Sequence, residues 1–183
     1  AEKYYSALTN NLVKHHIYVM CGDGCLMEGI AQEAASLAGH LNLDNLIVLF
    51  DDNQITIDGS TDLSNSEDIT KKFQAMGWNV LTVEDGNQDI EDIENKIKLA
   101  KQLGKPALIR VKTTIGFLSN KSGKAASHGA PLGQEEVDRL RQELLGSDKP
   151  FDIGIDVLDH CRLMIKKGLE LEFHLKMRNN ITH

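Results

Sequence analysis

With 183 residues, 41% of them apolar, the chain can bury one ordinary core, so one domain plus an extension is expected. Its 20 Lys and Arg against 27 Asp and Glu give a formal charge of −7, which argues against a broad basic face for nucleic acid or anionic lipid. A polyanionic ligand has to be held locally, by backbone amides or a metal ion.

No apolar run approaches the roughly 20 residues needed to cross a bilayer, and no basic-then-apolar signal region is evident, so no membrane partner is expected. The three cysteines, Cys21, Cys25 and Cys161, lack CxxC or His-rich ligand spacing. They read as reduced thiols of a cytoplasmic protein, with Cys21 and Cys25 packed as small hydrophobes.

In chain order, a short helical piece around Glu2 to Val13 leads into the β-rich run His16 to Cys21, which stops at Gly22. Met27, Ile30, Ala31, Ala34, Leu37, Ala38 and Leu41 then recur at the helical period, with Gly39 near the end of that helix. Asn45 to Phe50 is a continuous apolar run, the pattern of a central parallel strand covered on both faces. It breaks at Asp51-Asp52-Asn53, and a polar loop to about Asn65 follows. A helix from Ser66 to Met76, capped by Ser66, ends at Gly77. The strand Trp78 to Val83, the helix Asp89 to Leu103 and the strand Ala107 to Val111 repeat the alternation. Such βα units in series predict an α/β fold, a parallel sheet flanked by helices on both faces. Its ligand site belongs beyond the carboxyl ends of the strands.

Two of those ends carry unusual residues. Gly22-Asp23-Gly24 lets the backbone approach a ligand and leaves amides free at the start of a helix, a natural diphosphate cradle. Asp23 alone would repel phosphate, and a divalent cation resolves the conflict, because Mg²⁺ accepts a carboxylate, an amide oxygen and a backbone carbonyl while bridging diphosphate oxygens. Asp23, Asn53 and the Ile55 carbonyl suit that description. The 27 residues between Gly24 and Asp52 are enough for one helix and one returning strand, so both strand ends can meet.

The sequence here resembles the thiamine diphosphate enzymes, whose signature is Gly-Asp-Gly followed, after a helix and a strand, by Asn. The fuller segments resemble transketolases: Gly-Asp-Gly-Cys-Leu-Met-Glu-Gly at 22 to 29, Glu-Ala-Ala-Ser-Leu-Ala-Gly-His-Leu at 33 to 41, Asp-Asp-Asn-Gln-Ile-Thr-Ile-Asp-Gly at 51 to 59, and Thr-Thr-Ile-Gly with His-Gly-Ala-Pro-Leu at 113 to 132. Asp52 stands where thiamine diphosphate enzymes often have a second Asn, a departure that itself resembles transketolases and leaves Asn53 in place. The match covers about residues 1–150, as a partial diphosphate and magnesium-binding domain of Rossmann-like fold, and leaves 151–183 as a helical extension or linker. That stretch carries Val157, Leu158, Cys161, Ile165 and Leu169 roughly on one face of a helix from Ile155 to about Met177.

The resemblance implies that Asp23, Asn53 and the Ile55 carbonyl bind Mg²⁺, with Ca²⁺ as a substitute. It also implies that Gly22, Gly24 and Asn53 touch the diphosphate and that Ile57 packs against the cofactor. His128, in Ser127-His128-Gly129-Ala130-Pro131, would act at the diphosphate and the reacting substrate as hydrogen-bond donor or proton-transfer group. It follows the loop Gly116 to Gly123, which reads as a mobile lid. Glu28, at the start of its helix, would face the partner of a homodimer; its alternative is a carboxylate favoured by the helix dipole. The other six histidines receive a structural reading.

The implied reaction moves a two-carbon ketol unit between sugar phosphates, as in the pentose phosphate pathway. It needs a glutamate against the aminopyrimidine ring, from a pyrimidine-binding domain that no segment here resembles. By that resemblance the family's first strand and helix are not expected in this sequence, so exposed sheet edge and apolar helix surface are. Three alternatives stay open: one subunit of a split transketolase, a non-catalytic binding or interaction fragment, and a 2-oxoacid dehydrogenase subunit, which should lack His-Gly-Ala-Pro-Leu. A dihydroxyacetone synthase is a further relative to consider.

Overall fold

A computed structural model describes residues 1–8, 13–146, 151 and 153–179 of the chain. Helix α1 (Glu2–Leu8) precedes strand β1 (Ile17–Gly22), then α2 (Asp23–Met27), α3 (Gly29–His40) and β2 (Leu46–Asp52). A small hairpin of β3 (Ile55–Thr56) and β4 (Gly59–Ser60) leads to α4 (Ile69–Ala75), β5 (Asn79–Val83), α5 (Ile90–Ala100) and β6 (Ala107–Lys112). Two helices follow, α6 (Gln134–Leu145) and α7 (Ile155–Asn179).

The main sheet is four-stranded in the order β1-β2-β6-β5, with every neighbouring pair parallel. Registers of Gly22 with Asp51 and of Asp51 with Val111 bring the strand ends level along one edge. Alternation along β2 divides the core. Val48 and Phe50 pack with Leu26, Ala35, Ala38, Phe73 and Trp78 on one face, whereas Ile47 packs with Val83, Ala100 and Ile109 on the other. Helices α3 and α4 thus cover one face and α5 the other, the α/β architecture expected from the continuous apolar run.

Several details differ from the sequence reading. α1 ends at Leu8, while residues 9–12 of the expected helix lie outside the described residues. The helix expected after Gly24 is broken at Glu28, whose backbone turns extended (φ −66°, ψ 134°) and caps both α2 and α3. α3 then buries Ala35 and Ala38 and leaves Ile30 and Leu37 exposed. The reason is close approach: Trp78 Nε1 donates to the Ala35 carbonyl at 2.8 Å, and only the small-residue side of the helix allows that distance. Asp68, not Ser66, caps α4, accepting from the Lys71 amide at 3.0 Å. The hairpin β3-β4 replaces the expected loop, and α6 was not foreseen although Glu135 and Glu136 in its first turn and left-handed Gly146 at its end mark it.

β1 is an edge strand with Tyr18, Val19 and Met20 exposed, and the apolar stripe of α7 is exposed apart from half-buried Leu158. Among the described residues no helix is long and apolar enough to cross a membrane.

Trp78 is the tie between α3 and the sheet, meeting Phe73 edge to face with centroids 5.3 Å apart. Trp78→Phe removes the indole donor and part of the packed volume, and should lower stability by about 1–3 kcal/mol in urea denaturation. An unchanged midpoint would show that the tie carries no net stability.

Candidate functional site

The two strand ends and the loop after β6 enclose a cavity of about 790 Å³. Gly22, Asp23, Gly24, Glu28, Asn53, Ile55, Ile57 and His128 all line it, so every residue singled out from the sequence lies on one wall or another. The parallel sheet does this by delivering β1 and β2 to the same edge, and the hairpin folds Ile55 and Ile57 back over it. Cys25, Met27, Asp51, Thr56, Asp58, Ser64 and Ile115 complete the lining.

Backbone and side-chain bonds stitch the two ends together. The Gln54 amide donates to Asp23 Oδ2 at 3.0 Å, and the Ile55 amide donates to Asn53 Oδ1 at 3.0 Å. Asn53 Nδ2 donates to Asp51 Oδ2 at 3.1 Å, and Thr113 Oγ1 donates to Asp51 Oδ1. Asp23 is pushed up to about 6, chiefly by burial, with the Asp52 and Asp51 carboxylates adding to it and two backbone donors opposing. A β-carbon placed on Gly22 or Gly24 meets no atom within 4 Å, so the cradle beside Asp23 is open.

Among the described residues no cluster of three or more His, Cys, Asp or Glu side chains is arranged to hold a metal. Between the two strand ends the cavity offers the Asp23 carboxylate, the Asn53 amide oxygen and the chain carbonyls around them, with the Asp51, Glu28 and Asp58 carboxylates also on its lining. That all-oxygen set suits a hard, small cation sharing its coordination with phosphate or water, and a crowded, half-buried carboxylate is where such a cation gains most.

Asp52 takes a different path. It is buried, and Arg110 Nη2 and Nε donate to its Oδ2 at 2.6 and 3.2 Å, while Arg110 Nη1 donates to Thr70 Oγ1 at 2.7 Å. Arg110 escaped the sequence reading. Its one signal was a lone charge inside an otherwise apolar strand.

His128 is exposed on the cavity wall, closing a short 3-10 turn at Ala125–Ser127. The preceding loop, read from sequence as a lid, is pinned. Glu136 accepts from the Asn120 amide at 2.7 Å, Arg139 donates to the Leu118 carbonyl at 2.7 Å, and Lys121 Nζ donates to the Pro131 carbonyl at 2.8 Å. Gly116 has φ +61° and a β-carbon there would lie 2.8 Å from Ser127 Cβ, so the turn beneath His128 requires glycine. Glu28 is exposed at the break between α2 and α3, a helix junction and not the interior of a helix.

The cysteines depart from expectation. All three are free, but Cys25 and Cys161 are exposed, because α2 turns Cys25 toward the cavity and α7 is uncovered. Burial, helped by Cys25, Asp23 and Asp51, pushes the Cys21 thiol up to about 11 and keeps it protonated.

Residues 1–180 match the family model described as transketolase, thiamine diphosphate binding domain. The chain is 48% identical over 178 residues to the transketolase of Nostoc sp., covering 94% of this chain and 27% of that protein. Among solved structures, transketolase from Leishmania mexicana superposes with a TM-score of 0.80 at 44% identity, covering 92% of this chain and 26% of that one. A Pichia stipitis transketolase in complex with sedoheptulose 7-phosphate gives the same TM-score, 0.80, at 37% identity, with 92% of this chain and 26% of that one covered. The chain therefore spans about a quarter of its relatives' length, and it belongs to the transketolase family through the thiamine diphosphate binding domain.

Proposed function

We propose that this chain supplies the magnesium and diphosphate half of a thiamine diphosphate site in a transketolase, which moves a two-carbon ketol unit from a ketose phosphate to an aldose phosphate. The carrying observation is the convergence of the two strand-end motifs and His128 on one cavity at the carboxyl edge of the sheet. In this reading Asp23, Asn53 and the Ile55 carbonyl hold Mg²⁺, or Ca²⁺ in its place, and Gly22 and Gly24 let the diphosphate come against the backbone. Ile57, 74% exposed in the chain alone, gives its apolar surface to the cofactor.

The bound cofactor supplies the nucleophilic carbon and the electron sink that the transfer requires. The chain's own contribution is binding and orientation, plus a proton at the imidazole of His128, which faces the cavity from a loop braced by α6. The glutamate that activates the aminopyrimidine ring belongs to a pyrimidine-binding domain or chain, so this chain alone is expected to be inactive. Adding such a chain separates the split-enzyme reading from a non-catalytic fragment.

The homodimer is proposed through the surface beside Glu28, where exposed Ile30 and Leu37 favour a covered face. Residues 1–150 form the binding domain and 151–183 a helical extension in this proposal. The cytoplasm is the proposed compartment, on the strength of the three free cysteines.

The reading predicts a melting transition that rises when Mg²⁺ and thiamine diphosphate are added together. Ligand at 100 times its dissociation constant adds about 2.7 kcal/mol of stability. The rise should disappear when the metal is chelated. Equal melting temperatures with and without the pair would remove the basis for cofactor binding by this chain.

A further inference from the structure

We propose that Arg110 is a positioning residue for the cation and diphosphate cradle: it holds Asp52 behind the cradle and so fixes the strand end from which Asp51 and Asn53 face the cavity. The inference rests on the cofactor reading given above and deepens it.

The end of β2 carries three consecutive polar side chains, and they divide. Asp51 and Asn53 line the cavity of about 790 Å³, whereas Asp52 lines a second, polar cavity of about 280 Å³ together with Arg110. Asp23 lines both, so it forms the wall between them. The division follows from strand geometry, since alternate residues of β2 point to opposite faces and Asp52 falls on the face covered by α4.

A carboxylate with 5% side-chain exposure needs a partner, and Arg110 supplies one from the register neighbour of Phe50 on β6. The guanidinium spends Nε and Nη2 on Asp52 and Nη1 on Thr70, in the first turn of α4. Those three bonds fix its plane, which a lysine cannot reproduce. Around Asp52 the chain is anchored residue by residue. The Thr113 amide donates to the Asp52 carbonyl at 3.4 Å, Gln54 to Asp23, and Ile55 to Asn53.

Without Arg110 an unpaired buried carboxylate would lie one wall away from a bound cation. It would turn toward that cation or toward water, and either movement rotates the peptide that presents Asn53. The pair therefore does two things at once: it neutralises Asp52, and it keeps that carboxylate turned away from the cavity, so that of the strand-end aspartates only Asp23 and Asp51 face the ligand. A merely stabilising ion pair would neutralise Asp52 without affecting how the strand end is presented to the cavity, and the two roles separate experimentally.

Amide hydrogen exchange at Gln54 and Ile55 is read in the unliganded 183-residue chain, and the affinity for thiamine diphosphate with Mg²⁺ is read by calorimetry. Both are compared across wild type, Arg110→Met, Arg110→Lys and the double variant Asp52→Asn with Arg110→Met. Arg110→Met should speed exchange at both amides and weaken affinity, each by roughly tenfold, because a hydrogen bond to a charged group is at stake. The double variant, with no charge left to match, should return both to within about threefold of wild type. Arg110→Lys should fall between.

If Arg110→Met lowers only the melting temperature, or if the double variant does no better than Arg110→Met, the positioning role is overturned. If Arg110→Met does not fold, wild-type exchange in Arg110→Lys overturns it equally. Exchange that follows the expected order in a wild type that binds no cofactor would uphold the positioning role and sink the cofactor reading instead.

Discussion

Asp23→Ala is expected to abolish the stabilisation by Mg²⁺ and thiamine diphosphate while leaving the unliganded protein folded. The fold loses the carboxylate that accepts from the Gln54 and Asn53 amides, but it also sheds a half-buried charge crowded by Asp51 and Asp52. Those two effects oppose each other, so the unliganded melting temperature should move little. The ligand-linked rise, about 2.7 kcal/mol at 100 times the dissociation constant, should vanish. Asp23→Asn refines the result by keeping an acceptor for Gln54 while removing the charge. Loss of the rise in both variants assigns it to the carboxylate, and a full rise in either variant would show that the cation is not held at Asp23.

The sheet explains why one short segment can serve two purposes. At the end of β2, side-chain alternation sends Asp51 toward the ligand cavity and Asp52 toward α4, where Arg110 and Thr70 receive it. The ligand-facing residues can then stay polar and open because the opposite face is closed by an ion pair and by Phe50 and Phe73. Loss of the support should thus reach the cavity even where nothing in the cavity has changed.

The candidate site was legible in the sequence because its parts are local. Gly-Asp-Gly and Asp-Asp-Asn each sit at the end of one strand, and a parallel sheet brings successive strand ends to one edge whatever lies between them. Strand placement was legible for a similar reason: the short run from Asn45 to Phe50 has the pattern of a strand covered on both faces, and β2 packs against both core clusters. What stayed hidden depends on contacts between distant segments. The pairing of Asp52 with Arg110 spans 58 positions. The break at Glu28 lies inside an unbroken helical periodicity, and the buried side of α3 does not follow its apolar residues because size, not hydrophobicity, decides which face meets the sheet. The pinned loop below His128 depends on polar side chains of α6 that reach it from a distant segment, Glu136 to Asn120 and Arg139 to Leu118, contacts that the helical repeat of Val137, Leu140 and Leu144 does not reveal.

Gly39→Ala tests that size argument. By local propensity the substitution should help, since alanine is favoured over glycine in a helix by about 1 kcal/mol. Gly39 lies inside α3, however, where a β-carbon would stand 1.8 Å from the Met76 carbonyl oxygen and 3.3 Å from Trp78 Cδ1. A backbone carbonyl cannot rotate away as a flexible side chain would. Either α3 lifts from the turn before β5, stretching the Trp78 to Ala35 bond, or the turn itself moves with left-handed Gly77. Both routes open the core cluster around Phe73 and Trp78, so overpacking should outweigh propensity, with a net loss of roughly 2 kcal/mol or more. For a chain of this size that corresponds to a fall of roughly 5 °C or more in melting temperature. Gly104→Ala is no neutral control, because Gly104 is left-handed at φ +65°, but Gly29→Ala has open space and ordinary φ at the start of the same helix. A drop in Gly39→Ala alone locates the cost in the contact with Met76; equal melting temperatures for the two variants would mean that α3 does not need this close approach.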